Sequence, residues 1–72
     1  MNAAGYALGG ELTPRMVDVI RAAARGATVD ATADELGVSS STVRTIRAAA
    51  LARLGVHTIG AAIAEAYRAG AL

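Results

Sequence analysis

LGVSSSTVRTIRAAALARLG, residues 36–55, decides the fold of this chain. Leu36 closes one helical pattern, and Gly37 follows as a residue able to take the left-handed backbone that ends a helix. Ser39 stands where a hydroxyl can cap a new helix, which keeps its periodicity to Leu54 and stops at Gly55. Between Ser39 and Gly55 there are three arginines, Arg44, Arg47 and Arg53, and no acid. A short helix, a glycine turn and a basic helix make a helix-turn-helix.

In that motif the second helix lies in the DNA major groove, so its outward face matters most. With Val43 at the centre of the core face and about 100° per residue, Ile46, Arg47, Ala50 and Leu54 fall within about 60° of it, and Leu51 slightly beyond. Ser41, Arg44, Thr45, Ala48 and Ala52 take the opposite arc. That arc is small and hydrogen-bonding, with one arginine. Small side chains let a helix sit deep in a groove, and Arg44 has the reach for guanine O6 and N7 or for a phosphate. Arg47 lies on the flank, where a phosphate contact is expected. Arg53 sits in the last turn, where a cation also favours the helix dipole.

Working outward, Thr13-Pro14 starts a helix expected to run to Arg25 and stop at Gly26, with Met16, Val19, Ile20, Ala23 and Ala24 as its buried stripe. Thr28 caps a short helix to Leu36 that buries Val29, Thr32, Ala33 and Leu36. Thr58 caps a last helix, 59–69, stopped by Gly70. Ile59, Ala62, Ile63, Ala66 and Tyr67 form its apolar side, which is expected to serve the core, a dimer seam, or both. The reading is an all-α domain of four helices near 14–25, 29–36, 40–54 and 59–69, without strands. It occupies residues 12–72, behind a flexible leader at 1–11 in which Tyr6 and Leu8 are the only large apolar side chains besides Met1.

Composition narrows the function. The 72 residues make one small domain, near the lower limit for a core without staples. With no cysteine and a single histidine, His57, neither a thiolate nor a multi-histidine metal site is available, and no cofactor is expected. No Ser/His/Asp set or phosphate-binding glycine loop is present, so no catalytic residues are expected and the chain is not read as an enzyme. No apolar run reaches the ~18 residues of a membrane span, and the N-terminus lacks the basic start of a signal peptide. The expected location is therefore cytoplasmic, with no membrane partner. All seven basic residues are arginine and nineteen residues are alanine, a pattern of GC-rich coding. The net charge is only +1, but three acids (Asp30, Asp34, Glu35) lie between Thr28 and Gly37, and the three bases follow. The field around the recognition helix is thus positive.

The GC-rich coding points to a high-GC bacterium or its phage as the source, and from Leu12 to Leu72 the chain resembles the LuxR-type (GerE-like) DNA-binding domain. The matching residues are Leu12-Thr13-Pro14-Arg15, Gly26, Ala33, Leu36-Gly37-Val38-Ser39, Thr42-Val43, Arg47, Leu51, Leu54-Gly55-Val56, Ala62 and Gly70. The resemblance implies a four-helix domain whose third helix enters the major groove and whose fourth pairs with a second copy. Carried over by position, base contacts fall on Arg44, Thr45 and Ala48, with Thr42 and Arg47 toward the backbone; Ser41 joins them from the outward arc. The dimer seam is expected at Ala62, Ala66 or Tyr67, with Ile59 and Ile63 leaning toward the core. Family members usually carry a sensing domain before this module, and with about eleven residues ahead of it the chain reads as a stand-alone regulator.

The sequence departs from the family pattern at several places. Ala48 stands where a basic residue is common, Ile46 where histidine is, and Val29-Asp30 where Asn-Lys often opens the second helix. Met16, Ala31 and Ala61 replace glutamates. Sigma-factor region 4 shares the Thr-Pro-Arg opening and the Ser…Thr-Val helix but usually lacks the final Gly-Val-plus-helix segment. Two functions follow. One is a regulator that binds double-stranded DNA as a homodimer. The other is a protein-interaction module, like sigma region 4 or a dominant-negative partner, that pairs through its last helix with a full-length relative or RNA polymerase.

Overall fold

The structure, a computed structural model, describes residues 12–72; the expectation for residues 1–11, Tyr6 and Leu8 included, lies outside them. The described residues form four helices and no strand: α1 (Pro14–Ala24), α2 (Val29–Leu36), α3 (Ser40–Leu54) and α4 (Ile59–Arg68). Two ends differ by one residue from expectation. Arg25 and Ala69 serve as C-caps of α1 and α4 rather than as their last residues.

Every helix begins with a hydroxyl. Thr13, Thr28, Ser39 and Thr58 accept from the backbone N–H three residues on, at 3.2, 3.0, 3.0 and 3.1 Å. Each such cap satisfies a donor that the helix itself leaves unpaired, a contribution of about 1 kcal/mol. The residues at those third positions are Met16, Ala31, Thr42 and Ala61, none of which is acidic, so no carboxylate returns the bond.

The turn between α2 and α3 depends on Gly37, at φ 71° and ψ 33°. Its N–H bonds to Asp34 O and that of Val38 to Ala33 O, closing the end of α2. A Cβ added at Gly37 meets nothing within 4 Å, so only the left-handed backbone opposes a side chain there. Gly37→Ala is therefore expected to lower stability by about 1 kcal/mol, read from the urea midpoint. A parent-like midpoint would show that the turn does not need glycine.

α3 is the central helix and packs on α1, α2 and α4. Met16, Ile20, Ala50, Leu54, Ala62 and Ala66 form one buried cluster between α1, α3 and α4, edged by Leu12, Leu51, Val56, Ile59, Ile63 and Leu72. Val19, Ala33 and Val43 form a second between α1, α2 and α3, and Ile46 packs on both. Thr32, also buried, keeps its hydroxyl satisfied on Thr28 O at 2.8 Å.

Two expected burial patterns need correction. On α1 the buried alanine is Ala22; Ala23 is half-buried and Ala24 exposed. Just beyond the helix the chain reverses at Gly26, φ 89°, and Ala27 N–H bonds to Ala22 O. On α4, Ala62 and Ala66 are both 0 % exposed inside the cluster of a single chain. Neither has surface left for a seam between copies. Their small side chains instead let α4 approach α1 and α3 closely. Tyr67, the third residue expected there, is 60 % exposed.

Candidate nucleic-acid interface

The turn at Gly37 and the cap at Ser39 fix where α3 starts, and its burial fixes which side faces out. Val43, Ala50 and Leu54 point into the core. Ser41, Thr42, Arg44, Thr45, Ala48 and Ala52 are exposed, and Arg47 is half-buried on the flank, as the 3.6-residue period requires.

Hydrogen bonding sets what this face offers. The Thr45 hydroxyl donates to Ser41 O at 3.1 Å, so outward it presents only lone pairs and a methyl group. Ser39 Oγ donates to Thr42 Oγ1 at 3.0 Å, which leaves the Thr42 hydroxyl proton free for an acceptor such as a phosphate oxygen. Among the described residues, Arg44 and Arg47 have no carboxylate partner. Other arginines are engaged: Arg15 with Asp18 at 3.9 Å, Arg25 with both oxygens of Glu35 at 2.8 Å, and Arg68 with both oxygens of Glu65 at 2.7 and 2.8 Å. The Glu65 hydrogen bond raises the Arg68 pKa above its ordinary value. Among the described residues the arginines left for a ligand are thus Arg44 and Arg47 on α3, with Arg21 on α1 besides.

One contact of this region was not legible in the sequence. Ser40, the first residue of α3, donates its hydroxyl to Asp30 on α2. The two residues are ten apart and belong to different helices, so no local pattern announces the bond.

The α1–α2 side carries an open groove lined by Asp18, Arg21, Arg25, Glu35 and Leu36, none of them from α3. Its mixed charges are partly paired with each other. No group of three potential metal ligands occurs among the described residues, and no single helix there is long and apolar enough to cross a membrane.

The family model described as bacterial regulatory proteins, luxR family, matches residues 10–66. That span holds α1, α2, α3 and α4 as far as Ala66, and with them the complete outward face of α3. No curated protein and no solved structure matches the chain. With the family model covering well over half of its length and four helices in order, the chain belongs to the luxR family of bacterial regulatory proteins, as a DNA-binding helix-turn-helix domain.

Proposed function

We propose that this domain regulates transcription by reading duplex DNA with α3 as a homodimer in the bacterial cytoplasm. The observation that carries the reading is Arg44 and Arg47, two arginines without carboxylate partners among the described residues, on a face otherwise made of Ser, Thr and Ala. Arg44 presents a fork of donors that matches guanine O6 and N7. Thr45, with its proton committed to Ser41 O, accepts from an amino group of adenine or cytosine or sets its methyl against that of thymine. Ala48 adds a second methyl three residues on. Thr42 and Arg47 hold phosphates, and Ser41, beside the α3 N-terminus, supports them.

The second copy is recruited by α4. With Ala62 and Ala66 inward, the residues opposite are Gly60, Ala64 and Tyr67, with Ile63 on the flank. They recur at i, i+3, i+4, i+7, an apolar stripe with two small residues at which helices can approach closely. A two-fold pairing along this stripe sets two recognition helices about one DNA turn apart, roughly 34 Å, on one side of a palindromic site.

Selection from random duplex DNA is expected to enrich a palindrome. On that site Arg44→Ala should weaken binding by about 1–3 kcal/mol and relax preference at one base pair per half-site. Arg47→Ala should weaken binding to all sequences and reduce the salt slope by about one. If both variants bind like the parent, α3 does not read DNA. The α4 stripe would then be the working surface, for a longer relative or for RNA polymerase.

A further inference from the structure

The Asp30–Ser40 hydrogen bond joins the N-termini of α2 and α3 at the edge where a helix-turn-helix meets DNA. The first helix of such a motif crosses the phosphate backbone while the second enters the groove. Helix N-termini ordinarily offer their free N–H groups to phosphates. Here the second residue of α2 is an exposed carboxylate, and no arginine pairs with it among the described residues. Among the described residues its hydrogen-bond partner is Ser40, at the first position of the recognition helix.

We propose that Asp30 is a positioning residue for DNA reading: it holds the start of α3 through Ser40, and its charge lowers affinity for DNA of any sequence. The inference rests on the reading of α3 as the DNA-contacting helix. The turn, the cap and the core packing set the course of α3, and the tie adds a constraint on its first turn relative to α2, which bears on how Arg44 and Thr45 meet base edges. The carboxylate contributes a repulsion that every phosphate backbone feels alike. Binding then depends on base contacts more than on charge, which suits a chain whose net charge is only +1.

The two roles separate by substitution. Asp30→Asn removes the charge and keeps an oxygen that accepts from Ser40. Ser40→Ala keeps the charge and removes the tie. Asp30→Ala removes both. Each full-length variant is titrated against the selected site and against random duplex of equal length, at about 0.05 M and about 0.3 M salt.

Asp30→Asn is expected to bind random duplex about threefold tighter per half-site at the lower salt. That gain should shrink at the higher salt, and the ratio of specific to random affinity should stay at the parent's level. Ser40→Ala should leave random binding unchanged and lower the ratio about fivefold. Asp30→Ala should show both effects together.

Asp30→Asn binding random DNA no better than the parent, or Ser40→Ala retaining the parent's ratio, overturns the proposal and leaves the α3 reading intact. If neither the parent nor any variant binds duplex DNA, the α3 reading fails and takes the proposal with it. Duplex binding gained only by the Asp30 variants supports the repulsion. Asp30 is exposed and Ser40 half-buried, so circular dichroism of all three variants is expected to match the parent. Loss of helix in Ser40→Ala would make the tie a folding contact and overturn its positioning role.

Discussion

Ala66→Glu is expected to unfold the domain outright. Ala66 is 0 % exposed and sits with Met16, Ile20, Ala50, Leu54 and Ala62, so a glutamate there has neither room nor a partner. Desolvating a carboxylate costs several kcal/mol even after relaxation, and forcing extra side-chain atoms into a filled site adds about 1–3 kcal/mol. A domain of this size has a total stability of only several kcal/mol. Its main cluster is half alanine, so it has little large apolar burial in reserve. The cost exceeds the reserve. Far-UV circular dichroism should show most helix lost at room temperature, with no cooperative melt. A variant that stays folded with the parent's Tm would put Ala66 at the surface and return it to the seam between copies.

That outcome turns on a point the sequence did not reveal. The caps were legible because a helix start is a local event: Thr13, Thr28, Ser39 and Thr58 each act within three residues of chain. Gly37 and Gly55 were legible for the same reason, since the left-handed backbone at φ 71° and 70° favours glycine. The outward face of α3 was readable because Val43 and Leu54 are unambiguous core residues, and the period carries the rest.

α4 lacks such anchors. Alanine is tolerated inside and outside, and Ile59, Ile63 and Tyr67 drew the expected seam toward one flank. Which alanines turn inward is decided by α1 and α3, far away in sequence. The same limit hid the Arg25–Glu35 and Asp30–Ser40 pairs, each joining residues ten apart on different helices. The departure of Asp30 from the family pattern was visible, but its partner Ser40 was not.

Ala64→Glu is expected to do what a charge at Ala66 cannot: separate the copies while leaving each one folded. Ala64 is exposed on the stripe of Gly60, Ile63 and Tyr67, and no core residue depends on it. In a two-fold pairing the same position meets itself or its near neighbour across the axis. Each copy then brings a negative charge into an apolar seam, one turn from an Arg68 that is already paired with Glu65. Like charges placed together there cost several kcal/mol, and the longer side chain holds the backbones apart. The circular dichroism spectrum should stay that of the parent, while sedimentation at micromolar concentration shows monomer. DNA binding should fall about 100-fold or more at the selected palindrome, because linked half-sites gain roughly 10²–10⁴ in avidity that a lone half-site lacks. Random-sequence binding should fall less, which distinguishes a lost pairing from a damaged recognition helix. If Ala64→Glu sediments with the parent as a dimer, the seam lies elsewhere on the molecule. If the parent is itself a monomer and binds the palindrome no more weakly, pairing through α4 has no part in the mechanism.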